Sequence, residues 1–188
     1  DIWVSGTLGD AALALHCLRG RDALPAPDLA RARQRLEQPS PRVALGQALR
    51  GVAHAAADVS DGLLGDLGHI LKASKVGADL MAADAMTLIA SSAYSTSANG
   101  LFDPQSDRTA AVLEYVLSGG EDYELVFTAA PAEREAIAAA GTKSNTRVTR
   151  VGTVTSVPGV RVLWPDGSQA LGKWASFDHF KAVATPGA

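Results

Sequence analysis

Residues 55–71 read AAADVSDGLLGDLGHIL, and the fold class turns on how this stretch is divided. Its first five residues are small or β-branched, the composition of a short buried strand with Asp58 near its end. From Leu63 onward, Leu63, Leu64, Leu67, Ile70 and Leu71 recur at helical spacing, with Asp66, His69 and Lys72 between them. The intervening DVSDG is therefore a strand-to-helix turn, with Ser60 or Asp61 as the expected N-cap. Free backbone N–H groups and the positive end of a helix dipole meet at such a turn, which suits it to phosphate. Capping accounts for one aspartate. Asp58 precedes the cap and adds a second hard oxygen donor, of the kind that Mg²⁺ takes together with nucleotide phosphates. An ordinary capped turn and a metal-phosphate turn both fit this spacing.

Outward from the turn, the 188 residues, 47% of them hydrophobic, have room for one well-cored domain. A net charge of −3, with no basic block interleaved with aromatics, gives nucleic acid no electrostatic basis for binding. Cys17 is the single cysteine, which excludes an intrachain disulfide and fits a reducing cytoplasm. No apolar run approaches membrane-spanning length, and the opening residues carry no signal-peptide pattern. The chain starts DIWVSGTLGD, without methionine and within what reads as a strand, so it is expected to be part of a longer protein.

The patterning predicts strands at 1–4, 55–59, 77–82 and 123–129. Helices are predicted at 9–18, 29–36, 43–54, 109–117 and 131–140, the last ended by Gly141. Residues 90–106, rich in Ser, Asn, Gly and Pro, read as loop. RVTRVGTVT (147–155) and VRVLWPDGSQAL (160–171) alternate and predict strands and a hairpin, with Pro165-Asp166-Gly167 as a turn. Without a strict β-α rhythm, this order favours an α+β layered domain with a mixed sheet flanked by helices.

The second informative stretch is LSGGEDYELVFT, 117–128. Gly119-Gly120 reads as a helix C-cap and sharp reversal, followed by acidic Glu121 and Asp122 and then a buried strand. Both acidic turns lie beside strands that share a sheet, so they are expected to meet in space.

The segments GTLGDAALAL (6–15), PSPR (39–42), DVSDGLLGDLGHI (58–70), SGGEDYELVFT (118–128) and WASFDHF (174–180) follow in a familiar order and approximate spacing. In both, the chain resembles the C-terminal half of thiamine-monophosphate kinases, members of the superfamily that includes aminoimidazole ribonucleotide synthetase. The resemblance implies that 1–188 form a single C-terminal α+β domain of a longer cytoplasmic kinase. The N-terminal domain, which holds ATP and makes most of a homodimer interface, would lie outside this sequence. The implied reaction is ATP-dependent phosphorylation of thiamine monophosphate to thiamine diphosphate, with this chain inactive alone. The implied site has Asp58 and Asp61 as Mg²⁺ ligands and Ser60 as an ATP phosphate contact. Glu121 contacts the thiamine moiety and Phe177 stacks on it, with Trp174 competing for that role. No catalytic base is implied, since a phosphate nucleophile is already anionic. Two other classes stand beside this one. One is a non-catalytic binding or assembly module in which the acidic turns are caps, and the other is a hydrogenase-maturation or purine-synthesis member of the same ATP-using superfamily.

His16, His54, His69 and His179 lack metal-ligand spacing, and Cys17, on an Ala/Leu helix, reads as a small core residue. Asp66, five residues past Asp61, is expected to turn away around the helix as a surface or structural residue. GTLGD lacks the lysine of a Walker loop, and Asp10 reads as a helix cap.

Overall fold

The alternation IWVS gives the first strand, β1 (Ile2–Ser5), two unlike faces, with Ile2 and Val4 entering one apolar layer and Trp3 the other. β1 lies within a mixed six-stranded sheet in this computed structural model, which describes residues 1–91, 94, 104, 106–172 and 174. The other strands are β2 (Ala55–Val59), β3 (Gly77–Met81), β4 (Glu124–Thr128), β5 (Val148–Thr155) and β6 (Gly159–Leu163), in the order β2-β4-β1-β5-β3-β6. The pairings are antiparallel except that of β3 with β6.

The helices among the described residues are α1 (Asp10–Leu18), α2 (Ala26–Glu37), α3 (Val43–Ala48), α4 (Leu63–Ser74), α5 (Ala82–Met86), α6 (Asp107–Ser118) and α7 (Arg134–Lys143). Against one face of the sheet, Leu13 of α1, Leu63 and Leu67 of α4 and Val112 and Val116 of α6 pack with Val4, Val59 and Val126. Against the other, Leu45 of α3 and Ile137 of α7 pack around Phe127, on which Trp3 stacks. The layered α+β expectation is met, and the sheet carries helices on both faces.

Several local expectations are corrected. The helix after PSPR ends at Ala48 rather than near residue 54, because Gly51 turns the chain with φ 79° and the His54 N–H already donates to Thr128 O in the sheet. α7 follows a 3-10 turn at Pro131–Glu133 and runs through Gly141; the reversal comes at Asn145, φ 48°. α5 was not anticipated at all. The expected hairpin is reduced to the immediate surroundings of its turn, and β5 and β6 are separated in the sheet by β3. The Pro165-Asp166-Gly167 turn is present, closed by the Trp164 N–H to Ser168 O bond and a single antiparallel bridge between Leu163 and Gln169. Among the described residues, no helix is long and apolar enough to cross a membrane.

Candidate functional site

Because β1 and β2 both run antiparallel to β4, the segments after β1 and β2 and the segment before β4 gather at one end of the sheet. The two acidic turns meet there. Val59 is in register with Glu124, the Tyr123 N–H donates to Val59 O at 2.9 Å, and the Glu121 N–H donates to Ser60 O at 2.9 Å. Gly119 has φ −67° and ψ 133°, an extended conformation open to any residue, and Gly120 is not among the positive-φ glycines. Gly119 is the C-cap of α6, as expected, its N–H donating to Tyr115 O, but neither glycine supplies a left-handed reversal; both serve proximity. A Cβ on Gly120 would lie 2.4 Å from Ser60 O, and one on Gly119 2.2 Å from Tyr115 O.

The N-cap of α4 is Gly62, not Ser60 or Asp61. The turn is organised instead by Asp66, which does not face away. Its buried Oδ2 accepts the Ser60 N–H at 3.0 Å and the Asp61 N–H at 3.1 Å. A helical side chain leans toward the N-terminus, so a carboxylate in the first turn reaches back to the orphan donors before it. Burial raises the Asp66 pKa, those two hydrogen bonds oppose the rise, and the nearby charges of Asp61 and Asp58 add to it. Asp58 is exposed on the edge strand β2, Asp61 and Ser60 are half-buried, and Glu121 is exposed beside them. Tyr123, also exposed, has its phenol pushed up mainly by its hydrogen bond to Glu121, and further by Asp58 and Asp61.

Among the described residues, no three His, Cys, Asp or Glu side chains are grouped to hold a metal ion unaided. Mg²⁺ is ordinarily held by one or two carboxylates plus substrate phosphates and water. The hard-oxygen pair Asp58 and Asp61 on one turn fits that shared arrangement, but the Ser60 and Asp61 N–H groups expected to be free for a phosphate are instead taken by Asp66.

Along residues 121–124 exposure alternates, with Glu121 and Tyr123 outward and Asp122 and Glu124 buried. Asp122 performs the capping expected of Asp10. Its Oδ2 accepts the Gly9 N–H at 2.7 Å and its Oδ1 the Ala11 N–H at 3.3 Å, at the start of α1. Asp10 instead accepts the N–H groups of Ala90 and Ser91, each at 3.0 Å. Burial pushes the Asp122 pKa up to about 7, with the Gly9 and Ala11 bonds opposing and Asp10 reinforcing the rise. Glu124 is wholly buried and paired with both Arg35 and Arg42. Sequence reasoning passed over these partners, although a glutamate opening an otherwise apolar strand signals a buried charge in need of one.

Beside this cluster lies a cleft of about 520 Å³ walled by Pro39, Pro41, Val43, Tyr123 and Leu125, with Asp58 and Arg42 also lining it. A separate cleft of about 800 Å³ is lined by Leu113, Trp164 and Trp174, among others, and by none of Asp58, Asp61 and Glu121. Trp174 is half-buried against the larger core, while Phe177 lies outside the described residues. His16 packs edge-on to Tyr115, His54 and His69 are exposed, and His179 lies outside the described residues. Cys17 packs half-buried at the core edge, where burial pushes its thiol pKa up.

The family described as AIR synthase related protein, C-terminal domain, matches residues 2–165. The thiamine-monophosphate kinase of Haemophilus influenzae is 40% identical over 185 residues, covering 96% of this chain and 52% of the relative. The crystal structure of thiamine-monophosphate kinase from Stenotrophomonas maltophilia K279a is similar with a TM-score of 0.71 and 43% identity, covering 90% of this chain and 51% of that one. AaThiL complexed with AMPPCP and TMP is similar with a TM-score of 0.68 and 28% identity, over 95% of this chain and 50% of that one. The chain thus spans about half the length of the curated relatives it matches.

Proposed function

The chain belongs to the family of the AIR synthase related protein C-terminal domain, and on that premise we propose that it is the C-terminal part of a thiamine-monophosphate kinase. In the proposed reaction the γ-phosphoryl group of ATP passes to a phosphate oxygen of thiamine monophosphate, giving thiamine diphosphate and ADP. The observation that carries this reading is the direct hydrogen bonding of the DVSDG turn to the SGGED turn, which puts the turn bearing Asp58 and Asp61 beside a second acidic group. The relative bound to AMPPCP and TMP supports it from outside.

In this reading Asp58 and Asp61 would hold Mg²⁺, which would supply charge neutralisation for phosphoryl transfer. Ser60 contacts an ATP phosphate, on a backbone that Asp66 holds still. Glu121 accepts a hydrogen bond from the aminopyrimidine of the acceptor, and Phe177 stacks on its ring. The acceptor phosphate is already an anion, so no side chain is assigned as general base. The remaining half of the kinase supplies adenine contacts and most of a homodimer interface, the enzyme works in the cytoplasm, and these 188 residues alone do not turn over.

The test uses the full-length kinase carrying Asp58→Asn or Asp61→Asn. Turnover should fall by roughly 10²-fold or more while the melting temperature holds. Near-normal turnover of both variants at saturating magnesium would overturn the metal assignment.

A further inference from the structure

Glu121 and Tyr123 both hold left-handed backbone, φ 72° and 51°, although neither is glycine. Such conformations persist only where the surroundings over-determine them. Here the constraint falls on the residues that alternate with them. Arg35 Nη2 donates to the main-chain oxygen of Asp122 at 3.0 Å and to Glu124 Oε1 at 2.7 Å, so one guanidinium grips the chain on both sides of Tyr123. Arg42 closes on the same carboxylate from Nε to Oε2 at 2.6 Å and from Nη2 to Oε1 at 2.5 Å. Ser5 Oγ donates to Oε2 at 2.6 Å and accepts the Leu125 N–H at 2.8 Å. On the remaining side a Cβ at Gly6 would lie 2.0 Å from Glu124 Oε1, so the carboxylate has no slack. A buried ion pair gains little net stability, because desolvation offsets its Coulomb energy.

The neighbouring Ser60–Asp61 backbone has its own anchor, Asp66 of α4. The Glu121 N–H to Ser60 O bond joins the two turns, but their side-chain anchors come from different elements: α2, the segment before α3 and, through Asp122, the start of α1 for one, and α4 for the other.

We propose that the Arg35–Glu124–Arg42 clasp is a positioning device for the acceptor side of the site, aiming Glu121 and Tyr123 outward, while Asp66 does the same for the nucleotide side. This rests on the kinase reading above. Arg42 also lines the cleft that Tyr123 walls, so the clasp shapes the surface next to Glu121 as well as its backbone.

The experiment measures steady-state kinetics of the full-length kinase with Arg42→Lys, Glu124→Gln and Asp66→Asn. Wild-type turnover of thiamine monophosphate is measured first, and its absence would defeat the kinase reading rather than the clasp. With an active wild type, Arg42→Lys and Glu124→Gln should raise KM for thiamine monophosphate roughly tenfold and move KM for ATP less than about twofold. Asp66→Asn should show the opposite split. Arg42→Lys keeps the cation but not the two-pronged grip, so it decides the matter if Glu124→Gln does not fold. A lowered melting temperature with both KM values at wild type would overturn the proposal, as would a parallel rise of both.

Discussion

Placing a methyl group on Gly120 tests the contact between the two acidic turns. The φ of Gly120 is not positive, so alanine meets no backbone objection there. The objection is steric: the new Cβ would sit 2.4 Å from Ser60 O, about 1 Å inside ordinary contact, with Asp61 Cα also within 3.4 Å. Relief by about 1 Å of separation would stretch the Glu121 N–H to Ser60 O bond, now 2.9 Å, beyond hydrogen-bonding range. Overpacking of this kind costs about 1–3 kcal/mol, and the lost bond about 1 kcal/mol more. The expected destabilisation is therefore ~2–4 kcal/mol, or roughly 5–15 °C in Tm for a domain of this size. The assay is urea and thermal unfolding, with Gly68→Ala as the control. Gly68 lies within α4, and a Cβ there would meet nothing within 4 Å. That substitution should stabilise by about 0.5–1 kcal/mol. Gly120→Ala unfolding like wild type, or gaining stability like the control, would refute the close-approach argument.

Asp122→Asn tests the buried carboxylate under α1. Its pKa is raised to about 7, so the folded state keeps a proton that the unfolded chain releases near the ordinary value of 3.8. That contribution to stability is complete below pH 3.8 and is lost as pH rises through about 7. Relative to wild type, the variant should gain stability steadily over that window in pH-resolved melting, and a constant difference would contradict the assignment. For the acceptor residues, Glu121→Gln and Phe177→Ala should raise KM for thiamine monophosphate and leave KM for ATP nearly unmoved. If Phe177→Ala instead lowers Tm, as a core truncation of about 3–5 kcal/mol would, with KM unchanged, the stacking role of Phe177 is overturned.

What the sequence disclosed tracks the range of the interaction. The stripe Leu63, Leu67, Leu71 declared α4 because its period is local. The meeting of the acidic turns was legible because two apolar strands flanking acidic turns leave few ways to share a sheet. Arg35 and Arg42 were not legible as partners of Glu124, since 89 and 82 residues separate them. Asp66 reaches the Ser60–Asp61 backbone although its angular position points away, because a helical side chain leans toward the N-terminus, which residue spacing alone does not convey. Gly119-Gly120 misled for a chemical reason: glycine used for close approach and glycine used for reversal look the same in a sequence. The cap expected of Asp10 falls to Asp122, 112 residues later in the chain, which sequence order does not disclose, while Asp10 holds the residue 90–91 backbone.

The strand order β2-β4-β1-β5-β3-β6 contains no pair of consecutive strands, although sequential strands are neighbours in about two-thirds of cases generally. Among the described residues, no two of the six strands can therefore begin as a hairpin with each other. On a ribosome, the turn carrying Asp58 and Asp61 would wait for residues 124–128 before β2 had a partner, and β1 would wait until residue 148 for its second neighbour. Closing such long loops before any pairing is rewarded slows folding, into roughly the millisecond-to-second range. During that interval β2 offers the small, unpaired run Ala55–Ala56–Ala57 to any other nascent strand.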